Sequence, residues 1–247
     1  TTHDLQMAVN AGCASVGVSY ALQRSLRSNV MLSASLQDKR LFNSFQNGEA
    51  TESYRSKVLP LTVQFDRLDD GGGTTGALTW SVGSLSKDDA VTRGNFRKLN
   101  LDLSRVQHLT SGFSLYGRFS KQLASKNLDS SERMSLGGVA GVRAYAASEG
   151  YGDEGWLTQL ELRYTQDAVT TYAFYDYGHI RINVKPDLMD EASPDVKRAG
   201  AGLGLRYHQT RWMLDTALAW RTQGGMPTSE AARDPKPRVW VNFTYKF

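Results

Sequence analysis

Glu149 and Asp153 lie four residues apart in a glycine-rich stretch, and paired carboxylates are a common device for general acid–base catalysis. Such a pair needs a base, a metal or an apolar pocket to separate its pKa values, and the surrounding sequence offers none, so no catalytic residue is assigned. The four histidines (His3, His108, His179, His208) have no metal-ligand spacing. Cys13 is the single cysteine, which excludes an internal disulfide and a thiolate cluster. Gly71–Gly73 lacks the Lys-Ser/Thr of a phosphate loop and reads as a turn. Neither a metal nor a cofactor is expected. On residue type alone Arg143, in the same stretch, reads as a solvated loop charge, although a planar guanidinium can grip a carboxylate with two parallel bonds.

The elements that must position Arg143 show period-two alternation. Val239, Val241, Phe243, Tyr245 and Phe247 alternate with Trp240, Asn242, Thr244 and Lys246. The same pattern marks Val16–Gln23, Val30–Gln37, Leu59–Asp66, Leu78–Gly83, Leu99–Ser104, Phe113–Ser120, Leu160–Tyr164, Gly202–Tyr207 and Trp212–Arg221, and less cleanly Tyr172–Gly178. These segments predict eleven strands and no amphipathic helix. Links between them alternate in length: short near 24–29, 69–75, 108–111, 166–168 and 209–211, long at 38–54, 87–95, 124–155, 180–196 and 224–237. Transmembrane barrels alternate in this way, with short turns at the periplasmic rim and long loops outside. Lipid cannot satisfy open backbone groups, so a closed sheet is required. The expected fold is therefore all-β, a transmembrane antiparallel β-barrel. Phe243, Tyr245 and Phe247 resemble the aromatic C-terminal assembly signal of outer-membrane barrels.

Composition is consistent with this reading. The 247 residues carry 29 Lys and Arg against 25 Asp and Glu, a formal charge of +4, dispersed along the chain. That distribution excludes the compact basic patch of a nucleic-acid binder. No apolar run approaches the roughly 20 residues of a spanning helix. No signal peptide begins the chain, so residue 1 is read as a mature start or a cut end.

The long loop carries Ser130–Ser131–Glu132–Arg133, Leu136–Gly137–Gly138, Gly141–Val142–Arg143–Ala144–Tyr145 and Glu149–Gly150–Tyr151–Gly152–Asp153–Glu154–Gly155. Downstream stands Phe174–Tyr175–Asp176–Tyr177–Gly178. These motifs resemble the TpsB, or haemolysin-activator, family of two-partner secretion transporters. The resemblance runs nearly end to end, with Phe96–Ser104 and Leu123–Ser131 similar to the family's tenth and eleventh strands. Two departures are Ala144 where many members have Gly, and Ala146 in place of a frequent Pro.

The resemblance implies a barrel of about sixteen strands, of which residues 1–247 supply strands six to sixteen. Two POTRA domains, a plug helix and the first strands are expected upstream. It also implies that loop 124–155 folds into the lumen, that Arg143 docks on Asp176, and that Phe174 and Gly178 face the lumen beside it. The implied activity is not enzymatic. It is the export of a large partner exoprotein of TpsA type (a haemolysin, haemagglutinin or contact-dependent inhibition toxin) across the outer membrane of a Gram-negative bacterium. Expected partners are that exoprotein, outer-membrane lipid and lipopolysaccharide, and the barrel-assembly machinery, with no nucleic acid. A mixed-sign polar set (Gln159, Glu161, Arg163, Arg206, Arg221, Asn242, Thr244) would line the passage. The alternatives are a BamA-like insertase, which shares the loop arginine, and a passive porin.

Overall fold

A strand with one apolar face still carries open backbone groups on both edges, and these must pair with neighbouring strands. The computed structural model describes residues 7–45, 52–87, 91–185, 195–229 and 235–246, and in it eleven strands pair within one antiparallel sheet. The strands are β1 (Met7–Arg24), β2 (Ser28–Phe45), β3 (Glu52–Asp69), β4 (Gly72–Leu85), β5 (Gly94–Thr110) and β6 (Phe113–Ala124). Two short strands, β7 (Met134–Ser135) and β8 (Tyr151–Gly152), pair with each other inside the long loop. The sheet continues with β9 (Glu154–Gln166), β10 (Val169–Arg181), β11 (Asp195–His208), β12 (Trp212–Gln223) and β13 (Arg238–Tyr245). Spatial order follows chain order, with β6 beside β9, so the eleven-stranded sheet is an open up-and-down wall edged by β1 and β13.

The two faces are inverted relative to a water-soluble domain. One carries Val16, Val18 and Tyr20, each about 70% exposed, with Leu61, Trp80, Leu162, Leu205, Trp220 and Val241 exposed by 36–67%. Phe243 and Tyr245 lie on this apolar face, while Phe247 is outside the described residues. The opposite, inner face buries Gln122, Gln159, Glu161, Asp176 and Arg198. An exposed apolar band of this extent suits contact with hydrocarbon rather than water. No helix among the described residues is long and apolar enough to cross a membrane.

The strands run further than the hydrophobic pattern. The alternation marks Val16–Gln23, yet β1 has 18 residues, and much of the segment read as a link at 38–54 belongs to β2 and β3. Periodicity reports only the part of a strand with an apolar face. The hydrogen-bond ladder continues wherever two backbones stay in register, and polar side chains do not stop it. Leu123–Ser131 is not a strand: β6 ends at Ala124, and Ser130–Glu132 forms a 3-10 turn whose preceding Asp129 accepts from the Ser131 amide.

The largest buried apolar cluster among the described residues is not formed between two sheets. Leu136, Val142, Ala144 and Tyr145 from the long loop pack on Leu157, Tyr172, Phe174, Ile180, Ala217 and Ala219 from the wall. Burying a side chain such as Leu136 or Val142 contributes about 1.5–3 kcal/mol, so loop and wall stabilise each other.

Candidate functional site: the docked loop

Residues 125–153 join β6 to β9 and fold onto the inner face as a self-bonded hairpin. Beyond the β7–β8 pair, Leu136 and Gly137 amides donate to the Gly150 and Glu149 carbonyls, and Val142 donates to Leu136. Gly138 adopts φ 96°, a left-handed conformation that a side chain would strain. Added Cβ atoms at Gly137 and Gly141 would stand 2.0 and 2.3 Å from backbone oxygens, and one at Gly152 would stand 2.6 Å from the Arg181 carbonyl oxygen. The loop thus brings its two chain segments closer than side chains allow, and its tip is narrow enough to lie against the wall.

Arg143 projects from that tip. Its Nη2 is 2.7 Å from Asp176 Oδ1, and its Nε is 2.8 Å from Asp176 Oδ2, a bidentate fork. The Arg143 backbone amide also donates to Asp176 Oδ2 at 3.0 Å, and Nη1 reaches Glu161 Oε1 at 2.5 Å. The guanidinium lies 3.6 Å above the Phe174 ring centroid. Sheet register explains the set. Glu161 pairs with Phe174 across β9 and β10, and Asp176 stands two residues further along the same face. One planar cation therefore spans both carboxylates over the intervening ring. Arg143 and Asp176 are buried, and although burial works against the charged form of Arg143, Asp176 and Glu161 together outweigh it and raise its pKa. Trp240 of β13 donates from Nε1 to the Arg143 carbonyl at 2.7 Å, so the tip also touches the edge strand.

Gly178 supplies the space. A Cβ there would lie 2.3 Å from Leu136 Cδ1 and 3.2 Å from Leu157 Cδ1. Leu136 enters that gap and is fully buried. Ala144 sits over Gly200, where an added Cβ would lie 2.5 Å from the Ala144 Cβ. Tyr145 is buried, and its hydroxyl donates to the Gln223 and Gly225 carbonyls.

Glu149 and Asp153 are held apart, each by its own partners. Glu149 accepts from Arg198, Thr228 and Ser229. Asp153 accepts from the Leu128 and Val184 amides and from Arg133 Nε at 3.0 Å. Both are structural anchors. A third anchor, Glu132, takes Lys39 Nζ at 2.7 Å and Lys98 Nζ at 2.8 Å, tying the start of the loop to β2 and β5. Sequence reasoning had placed Glu161 on the inner face without its partner. It had no signal for Arg198, Lys39, Lys98 or Trp240, because their partners lie tens of residues away and only the register brings them close.

Burial opposes ionisation of Glu132, but Lys98 and Lys39 outweigh it. Burial likewise opposes ionisation of Glu149, but the Ser229 amide and Arg198 outweigh it, so both pKa values fall below the ordinary 4.5. Groups with depressed pKa values stabilise above their unfolded-state pKa, and that stability is lost as pH falls through the depressed value. Asp153, whose pKa burial raises, contributes in the opposite sense and weakens docking as pH rises through its folded value. Through Glu132 and Glu149 the loop is expected to stay protease-resistant at pH 4.5 and to be cut only in stronger acid. Cleavage within 125–153 beginning above pH 5 would contradict this.

An antiparallel meander with an apolar outer face, a polar inner face and rims of alternating loop length is the wall of a transmembrane β-barrel. A family profile described as "Haemolysin secretion/activation protein ShlB/FhaC/HecB" matches residues 2–207, and the chain belongs to that family of two-partner secretion proteins. Among curated relatives, the "Heme/hemopexin transporter protein HuxB" of Haemophilus influenzae strain 86-028NP is 28% identical over 208 residues, covering 76% of this chain and 37% of that protein. Its counterpart from strain Rd is 32% identical over 172 residues, covering 61% and 30%. The chain thus spans about a third of the length of these relatives. Solved structures of similar fold include CdiB from Escherichia coli (TM-score 0.75, 16% identity, 97% of this chain and 45% of that one). CdiB from Acinetobacter baumannii is also similar (TM-score 0.71, 18% identity, 98% and 42%).

Proposed function

We propose that this chain forms the C-terminal wall of an outer-membrane translocator that carries a large partner exoprotein from the periplasm to the cell surface of a Gram-negative bacterium. The observation that carries the reading is the loop docked across the inner face through Arg143. A passive pore has no need of so heavily anchored an internal obstruction, whereas a translocator needs a closure that cargo can displace. POTRA domains, a plug helix and the first strands would stand upstream and complete the barrel. No nucleotide drives the step, because the outer membrane has no ATP supply; folding of the exoprotein outside supplies the directionality. The inner face mixes signs, with Arg163 against Glu161 at 2.7 Å and Arg206 against Asp215 at 2.8 Å. Paired charges of both signs suit varied unfolded polypeptide better than a selective ion path. Haemolysins, haemagglutinins and contact-dependent inhibition toxins are the cargo types of the family, and the name of the Haemophilus relatives adds heme/hemopexin transport. During biogenesis the barrel-assembly machinery would act on the C-terminal strand, and lipid and lipopolysaccharide would cover the apolar face.

The test is export. The complete parent protein is expressed with the exoprotein encoded beside it, and exoprotein is quantified in medium and periplasm. Accumulation in the medium that depends on the parent protein is expected. Stable exoprotein retained in the periplasm, with the barrel correctly inserted, would reject the translocator reading for that pair. An insertase would instead be revealed by loss of other barrels on depletion.

A further inference from the structure

Glu149 stands outside the Arg143 contact and holds a different part of the molecule. It is fully buried and accepts six hydrogen bonds. Two come from Arg198 of β11, Nη2 at 2.7 Å and Nε at 3.1 Å. The other four come from the connection between β12 and β13. The Thr228 and Ser229 amides donate at 2.9 and 3.1 Å, and their hydroxyls donate at 3.1 and 2.9 Å. Two successive amides converging on one carboxylate oxygen form an anion-binding nest. Here the anion is supplied by the loop itself.

The same connection is gripped at two further points. Arg198 Nη1 donates to the Gly224 carbonyl at 2.7 Å, and Tyr145 Oη donates to Gln223 and Gly225. Apart from the Arg198–Glu149 pair, which ties the loop to β11, these contacts join the inner-face loop or β11 to residues 223–229 at the rim of long connections. The wall residue that holds Glu149 is on the strand next to Asp176: Arg198 of β11 pairs with Gly178 of β10, two residues from Asp176, whereas the Arg143 fork faces β9 and β10. The Arg143 anchor therefore fastens the loop to the wall, whereas the Glu149 anchor fastens it both to the wall, through Arg198, and to the connection at 224–229.

We infer that Glu149 latches the docked loop to the last long connection, residues 224–229, so that these two segments close the outer mouth of the barrel as one unit. Arg143 sets the position of the loop tip, and Glu149 is a positioning residue for the external connection. Cargo that displaces the loop must break the nest, and the connection then swings free with its donors exposed. The consequence for transport rests on the translocator reading above; the latch itself does not.

The two are separated by measuring the latch directly. In the parent protein with Cys13→Ser, a nitroxide label is placed at Met226→Cys, a position 63% exposed in the latched connection. Label mobility and single-channel openings in planar bilayers are recorded for the otherwise native protein, Glu149→Gln and the pair Thr228→Val/Ser229→Ala. Glu149→Gln removes the charge and one acceptor pattern. The pair leaves Glu149 and Arg198 intact but deletes both hydroxyl donors, and so remains informative if the first variant does not fold. Restricted motion in the native latch, a sharpened spectrum in both variants and openings raised about tenfold, the change that ~1.4 kcal/mol produces, are expected. Glu149→Asp should restore part of the restriction. A label already mobile in the native protein, or one equally restricted in both variants of folded barrel, overturns the latch. Loss of exoprotein export with an unchanged label spectrum would count against the latch while leaving the translocator reading intact.

Discussion

Arg143→Ala is expected to cut export at least tenfold while the barrel still inserts. The substitution removes a guanidinium that bridges Asp176 and Glu161 and leaves two buried carboxylates on one face of the wall. Breaking a buried ion pair by deleting one partner costs about 3–5 kcal/mol, because the orphaned charge stays desolvated. Here Asp176 is orphaned and Glu161 keeps only Arg163, so the loop is expected to leave the wall and admit water. Arg143→Lys should fall between wild type and Ala, since an ammonium cannot make the two parallel bonds to Asp176 and also reach Glu161. Asp176→Asn keeps the shape of the acceptor and removes the charge. A double-mutant cycle on Arg143→Ala and Asp176→Asn, read as loop protection from protease in intact cells, should give a coupling of about 0.5–3 kcal/mol, the range for residues sharing one network. Strictly additive effects would show that the two side chains act independently and that the bidentate contact is incidental to docking.

A comparably large effect should follow from filling the gap at Gly178. A Cβ at this position would stand 2.3 Å from Leu136 Cδ1, well inside contact distance, and both neighbours in the gap are buried leucines. Gly178→Val must therefore displace either Leu136 or the wall. The wall is held by a ladder on each side of β10, and the loop is held by side chains, so the loop yields. Overpacking of this kind costs about 1–3 kcal/mol, and Leu136 in turn forfeits its own burial. Protease should cut within 125–153 in Gly178→Val, and export should fall even though Arg143 is intact. Leu136→Ala on top of Gly178→Val vacates the volume that the new side chain needs, and should recover much of the docking. If the double variant is as impaired as Gly178→Val, the defect lies in the sheet and not in the room left for the loop.

Much of the fold was legible because a strand in contact with lipid on one side must alternate, whatever its partner. Phe113–Ser120, Leu160–Tyr164 and Val239–Tyr245 declare themselves in this way, and the succession of short and long links follows from a wall whose two rims face different compartments. Strand ends were not legible: residues 7–15 and Asp38–Phe45 lie within β1 and β2, outside the alternation read from the sequence, and hydrogen bonding continues there. The loop motif, with Arg143 and Asp176, was visible through its resemblance to a family. Residue types alone show a charged loop and a polar strand and do not join them.

The sequence by itself determined the eleven strands of the wall, their order along the chain, the lipid-facing set and the membership of Arg143 in an unusually glycine-rich loop, all of which are properties of near neighbours in the chain. Only the tertiary structure decided that Glu161 shares Arg143 with Asp176, that Gly178 is vacant for Leu136, and that Glu149 and Asp153 belong to separate anchors. The physical reason is register: pairing Asp176 with Gln159 on one side and Gly200 on the other sets which side chains share a face and a rung. A shift of one residue would turn each of them to the opposite face.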